Sequence, residues 1–278
     1  MQGLQRGAFR VLFEPPLEST AREVLRLCPE VKAQLEKIFG WDLDVTTSIF
    51  LVRDSGRFQQ MSGNPLVVAF AVPKKNLLVI DHSRMGSAPF SLAATLKHEF
   101  CHLMLHHHIK KKSLPRWMDE GVCQWASDGV GEILMDPKRS RLNRAAFRGA
   151  FIPLNRLETG FPRKRDALFL AYEESKSVIS YIIAKFGIEG LLRVLSQMKQ
   201  GKEAQAAIQA ALGLSLEELE TQWQHALRKK ITWMTYLSYH LYEILFGIGA
   251  LITLYAFVRV IIRKRAYQRT EGDDAFGP

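Results

Sequence analysis

From Tyr239 to Ile262 the chain is apolar almost without interruption, and no other segment limits its folding as strongly. A helix of that length must be covered by protein or by lipid, since ~20 consecutive apolar residues match the hydrocarbon core of a bilayer. Glu243 and Arg259 interrupt the run only near its two ends, where long side chains reach the headgroups. Trp233, Tyr236, Tyr239 and Tyr242 stand at its front edge, as an interfacial aromatic belt does, and Arg263-Lys264-Arg265 closes it. A buried core helix and an amphipathic surface helix are the competing outcomes. Apolar residues occupy every face from Ile244 to Val258, which argues against the surface helix. The expectation is a C-terminal transmembrane helix, with the preceding residues free to fold in water.

Those residues suffice for a real core, since 47% of the 278 residues are hydrophobic. The formal net charge is +10, but the cations fall in short scattered runs such as Lys110-Lys111-Lys112 and Arg163-Lys164-Arg165. No nucleic-acid motif accompanies them, so nucleic acid is not an expected partner and the runs read as solvated faces and membrane flanks. Cys28, Cys101 and Cys123 are odd in number and contain no C-x-x-C spacing. That argues against a disulfide framework or a thiolate zinc site and fits a reducing compartment. Met1 to Arg10 lacks the basic start and apolar run of a secretory signal.

Along the chain, Phe9 to Phe13 reads as a short strand broken by Pro15-Pro16. Apolar residues recur at helical spacing from Leu17 to Phe39, and Gly40 ends that helix. Val45 to Val52, Leu66 to Val72 and Leu77 to Ile80 read as strands, the last two joined by a turn at Pro73-Lys74-Lys75-Asn76. Asp54 to Asn64 reads as a loop or short irregular helix. Helices follow over Ser91 to His107 and Leu114 to Ala126, whereas Asp136 to Pro162 is basic and turn-rich with no period. Further helices run from Ala167 to Phe186, stopped by Gly187, then from Ile188 to Gln200 and from Glu203 to Leu212. Ser215 and Glu218 form a capping box for a helix reaching about Lys230. This order predicts an α+β chain. Residues 1–85 form an α/β part and 86–230 a helical part of one domain; 231–265 form the anchor with its flanks and 266–278 a polar tail.

His98-Glu99-Phe100-Cys101-His102 is an H-E-x-x-H motif late in an apolar helix. Residues four apart share a helix face, so His98 and His102 can offer two imidazole nitrogens to one ion. Glu99 is one step away, beside the ion rather than on it, and can take a proton from water activated there. The bland alternative is a pair of surface histidines with an ordinary carboxylate; a third ligand decides between them. His108 has the H-E-x-x-H-x-x-G-x-x-H spacing of metzincins. Leu105, however, stands where that pattern has the glycine that turns the chain back, so a continuing helix carries His108 away. His106 lies near the stripe of His102, and both His106 and His108 read as helix-end or surface histidines. Glu120 is the stronger candidate: it lies eighteen residues beyond His102, after a loop, on a second helix. Two histidines and a glutamate leave a fourth position open for water, as catalytic zinc requires. Glu120 would also suit a helix N-terminus on dipole grounds alone.

The stretch HEFCHLMLHH…LPRWMDEGVCQW resembles the peptidase MA-like family of gluzincin metallopeptidases, which pair H-E-x-x-H with a downstream W-x-x-E-G. The similarity continues through Ala171-Tyr172-Glu173-Glu174-Ser175 to Glu220-Thr221-Gln222-Trp223 and covers roughly Leu66 to Leu227. It implies a zincin-like fold with a small N-terminal sheet, an active-site helix beneath it and a helical C-terminal subdomain. It also implies a Zn2+ cofactor held by His98, His102 and Glu120, and Tyr172 as donor to the oxyanion, although packing explains a tyrosine there equally well. Gln124 departs from thermolysin-like relatives, which carry an aspartate at that place to orient a zinc histidine. Asp119 and Asp128 are the other candidates for that task.

The expected function is peptide-bond hydrolysis, with Glu99 as general base and Leu66 to Ala71 or Leu77 to Ile80 as an edge strand pairing with substrate. A zincin fold that binds peptides without cutting them, or a membrane scaffold with a structural metal, is the alternative. An intramembrane protease is disfavoured by Lys97 and by Lys110 to Lys112 beside the motif. For topology, Arg259 to Arg269 after the span favours a cytoplasmic tail. The lack of a visible signal and the unpaired cysteines favour a cytoplasmic-facing catalytic domain, which is the expectation adopted.

Overall fold

Short apolar runs punctuated by proline and glycine assemble here into one five-stranded sheet, in the spatial order β1-β2-β3-β5-β4. The strands are β1 (Gln2–Arg6), β2 (Phe9–Phe13), β3 (Thr47–Val52), β4 (Ala69–Val72) and β5 (Leu77–Asp81). The computed structural model describes residues 1–85, 91–127, 140–239 and 241–273. β2, β3 and β5 are parallel, with Val11 opposite Ile49 and Ile49 opposite Leu78. β1 and β4 close the two edges antiparallel. β5 is therefore interior, and of the two runs considered for the edge strand only the one ending in β4 lies there. Leu77–Asp81 is buried along almost its whole length because it is flanked on both sides.

Helix α1 (Glu18–Phe39) buries Ala21, Val24, Leu25, Cys28, Val31, Leu35 and Phe39, one stripe at helical spacing, and packs on β2. Gly40 ends it with φ 65°, a left-handed conformation that glycine adopts without a Cβ clash. Asp54 to Asn64 holds a true helix, α2 (Ser55–Ser62), capped by the Asp54 carboxylate accepting from the Arg57 N–H at 2.7 Å. Its Phe58 packs with Val52, Val67 and Val79.

Helix α3 (Leu92–His108) is capped by Ser91, packs against α1 and β4, and is buried on nearly every side from Thr95 to Leu105. Polar groups on such a helix must be satisfied inside the protein. Helix α4 (Arg116–Ala126) packs on α3 and on α6 (Arg165–Lys199). Gly121 is where α4 meets α6. A Cβ on it would run into the Ser175 carbonyl oxygen and lie 2.7 Å from Ile179 Cγ1. Gly121→Ala should therefore cost about 1–3 kcal/mol through overpacking, seen as a lower denaturant midpoint at unchanged slope. A midpoint equal to wild type would mean that the two helices separate at no cost.

The turn-rich stretch before α6 contains a helix that periodicity missed, α5 (Arg141–Arg148). Long-range carboxylate contacts hold this region. Glu173 accepts from the Leu142 N–H at 2.8 Å and the Ser140 hydroxyl at 2.9 Å, Glu174 from the Ile152 N–H at 3.1 Å, and Glu220 from the Leu154 N–H at 3.3 Å. Burial pushes the Glu174 carboxyl up to about 8; the Ile152 N–H offsets part of this, and Glu220 and Glu173 add to it. A folded-state value above the ordinary one means that the folded chain holds this proton longer than the unfolded chain. Its contribution is intact below about pH 4.5 and is lost as pH rises to about 8. Glu174→Gln should raise the unfolding free energy at pH 8–9 by up to a few kcal/mol, read as a higher urea midpoint, and change nothing near pH 4. Equal midpoints at both ends would refute the assignment.

Gly187 breaks α6 with φ 72° and ψ 170°, a conformation reserved for glycine, so two helices meet at a kink there. Helix α7 (Ala204–Leu212) ends at Gly213, and α8 (Leu216–Tyr239) opens on the expected capping box: Ser215 N–H to Glu218 at 2.7 Å and Glu218 N–H to Ser215 Oγ at 3.1 Å. Residues Met1–Ala226 form one compact unit and Leu227–Pro278 a second. The second contains α9 (Leu241–Asp273), in which Leu241–Ile262 has a mean hydropathy of 2.2 and is long enough to cross a bilayer.

Candidate metal centre

One turn of α3 separates His98 from His102, and the two rings face each other edge to face at 4.8 Å. Their Nε2 atoms are 3.2 Å apart. Glu120, on α4, brings Oε2 to 3.6 Å from the first and 3.8 Å from the second. All three side chains are buried.

The outer nitrogens are held from α4. His102 Nδ1 lies 2.7 Å from Asp119 Oδ1, so it donates to that carboxylate. Ser127 Oγ gives its own hydrogen to the Cys123 carbonyl at 2.7 Å and is 3.4 Å from His98 Nδ1, which it meets as an acceptor. With both Nδ1 atoms protonated, both Nε2 lone pairs point into the same small space beside a carboxylate oxygen. Three acceptors so close repel one another unless a cation lies between them. Ligand bonds of about 2.0–2.1 Å in a tetrahedron place neighbouring donors about 3.3 Å apart, within a few tenths of an ångström of the separations here. The residues thus fit a divalent ion.

Without an ion, the histidines' own positive charge serves the neighbouring carboxylates. Burial pushes the Glu120 carboxyl up, but Arg116, His102 and His98 outweigh it and hold the group below its ordinary value. Arg116 ion-pairs with Glu120 Oε1, leaving Oε2 turned to the histidines, and its NH1 lies 3.8 Å from Asp119. Asp119 is likewise opposed by burial, yet His102 and His106 hold it well below the usual carboxylate range.

The structure brings four of the five expected site residues onto the paired helices α3 and α4: His98, Glu99, His102 and Glu120. Glu99 is fully buried next to His98. Tyr172, on α6, packs with Leu168 and Phe169, stacks edge to face on Phe161 at 4.9 Å, and lines the same cavity of about 600 Å³ as His102. That cavity is also lined by Phe70 and Ala71 of β4, and by Arg116. His108 is outside: its Nε2 bonds to the Asp42 carbonyl oxygen at 2.7 Å and its ring packs on Trp41.

One expectation needs correction and one open question closes. His106 is not a bystander at the helix end; its Nε2 meets Asp119 Oδ2 at 2.9 Å, so one carboxylate bridges His102 and His106. Of the groups left open for orienting a zinc histidine, Gln124 is not the one: its amide N–H donates to the Tyr172 carbonyl at 3.3 Å and its amide oxygen bonds no histidine. Asp119 takes His102 instead, and Ser127 takes His98; Asp128 lies outside the described residues. Arg116 and Ser127 had no part in the sequence reading, although the i,i+4 spacing of Arg116 to Glu120 was a usable signal. Cys123, with Asp119, also approaches His102. At 2.7 Å the Asp119 contact is a hydrogen bond rather than the spacing of two ligands on one ion.

Two imidazoles and a carboxylate converging from two helices form a candidate site for a single metal ion. The chain belongs to the peptidase MA superfamily, which its sequence matches over residues 48–229. Comparison with curated proteins found no match.

Proposed function

We propose that this protein is a membrane-anchored zinc metallopeptidase with a gluzincin-type fold. The observation that carries the reading is the convergence of His98 Nε2, His102 Nε2 and Glu120 Oε2 with both outer imidazole nitrogens anchored. When bound, zinc supplies a Lewis acid that acidifies water and polarises a carbonyl. Glu99 accepts the proton of the attacking water and returns it to the leaving amine. Asp119 keeps His102 in the tautomer that offers Nε2, and stabilises positive charge on the ring. Tyr172, which lines the same cavity as His102, donates to the oxyanion. β4, at the sheet edge and lining that cavity, pairs with an extended peptide. Leu241–Ile262 anchors the chain, and three unpaired cysteines suit a catalytic domain facing the cytoplasm.

The test is metal analysis of the full chain in detergent beside cleavage of a peptide library. About one zinc per chain is expected, with cleavage abolished by a chelator and restored by zinc. Cleavage indifferent to chelation, or a chain with zinc bound and no cleavage of any substrate, would overturn the catalytic reading.

A further inference from the structure

Large hydrophobic side chains in the unit Met1–Ala226 are almost all covered. Among its described residues the exposed ones are Met1, Met61 and Phe147, and Phe147, at 82%, is the most exposed and the only aromatic one. It projects from α5, whose opposite face buries Ala145 and Ala146 against the protein. Arg144 lies one turn before it and Arg148 directly after it, both exposed. From Arg141 to Arg165 the chain carries seven lysines and arginines and a single acidic residue, Glu158. Arg141 is taken up by Asp166 at 3.0 Å, and its guanidinium lies over the Phe169 ring. Arg144, Arg148, Arg163 and Lys164 are exposed and make no ion pair among the described residues.

An isolated, water-exposed phenylalanine between two arginines suits a bilayer interface. The ring settles at headgroup depth while the guanidinium groups meet lipid phosphates. We propose that α5 and the basic segment after it form a docking face for anionic lipid, with Phe147 inserted and Arg144 and Arg148 on phosphates. The proposal rests on the membrane-anchor reading, because the span in the same chain keeps a bilayer at high effective concentration. An acidic protein would match the cations but gains no such advantage. The docking segment ends in Phe161, Pro162 and Arg163, which line the catalytic cavity. Docking therefore brings the cavity to substrate segments close to the membrane.

The test uses the full chain with Phe147→Cys carrying an environment-sensitive dye; the three native cysteines are buried and do not compete. It is reconstituted into vesicles of phosphatidylcholine alone or mixed with phosphatidylglycerol. The dye should shift to the blue and be quenched by headgroup-level spin-labelled lipid only in the anionic vesicles. High salt, or the double variant Arg144→Glu, Arg148→Glu, should abolish both signals. A dye at 147 as solvated as one placed at Met61→Cys overturns the proposal, as does protection that needs a second protein. Alkaline carbonate extraction reads the anchor separately. A chain that stays with the vesicles while the dye remains solvated refutes docking and keeps the anchor; a chain that washes off while intact vesicles quench the dye does the reverse.

Discussion

Glu99→Gln should keep the metal and lose cleavage by on the order of 10²–10⁴-fold. Glu99 is fully buried in α3, so the replacement must preserve volume; an amide does, and it carries no charge whose burial has to be compensated. His98, His102 and Glu120 are untouched, so metal content should match wild type. The amide cannot accept a proton from water and so has none to pass to the leaving amine, the two tasks the mechanism assigns to this side chain. Metal content and kcat measured on the same preparation check it. A variant that holds the metal and cleaves near the wild-type rate would remove Glu99 from the mechanism.

Removal of the third ligand should be as severe, but through binding. Glu120→Ala takes away the oxygen 3.6 Å and 3.8 Å from the two imidazoles and leaves a two-ligand site. The loss of metal affinity should exceed the roughly 10–100-fold that follows when an outer hydrogen bond is lost. Arg116, released from its ion pair, is partly exposed and can turn to solvent, so the fold should persist. Glu120→Gln, which keeps the shape, guards against a folding artefact. His108→Ala should bind metal as wild type does, at a stability cost of about 1 kcal/mol for its bond to the Asp42 carbonyl. Zinc titration of the three variants decides; metal lost with His108 and kept with Glu120→Ala would exchange the two residues' roles.

What could be read in advance was local. The stripe of α1, the break at Gly187 and the capping box of Ser215 and Glu218 depend on residues within a few positions of one another. β1 escaped notice because Gln2–Arg6 is polar and exposed; its strand state comes from pairing with β2, as in Leu4 opposite Val11. α5 escaped because its start is fixed by Glu173, some thirty residues away in sequence. Leu66 to Val72 and Leu77 to Ile80 are both short and apolar, and neither shows in its own residues which will be flanked on both sides.

The candidate centre divides in the same way. The sequence by itself determined that His98 and His102 share a face of a helix with Glu99 beside them, since that follows from 3.6 residues per turn. It also determined that a span-length apolar helix lies near the C-terminus, since that follows from composition and length. Only the tertiary structure decided that Asp119 serves both His102 and His106, that Ser127 serves His98, that Arg116 turns Glu120, and that His108 is tied to Asp42. Those pairings depend on the crossing of α3 and α4, which brings side chains on separate helices within hydrogen-bonding distance, and Gly121 permits the close contact of α4 with α6 behind them. A helix's period dictates which of its own residues share a face; which residues of another helix meet that face is set by packing.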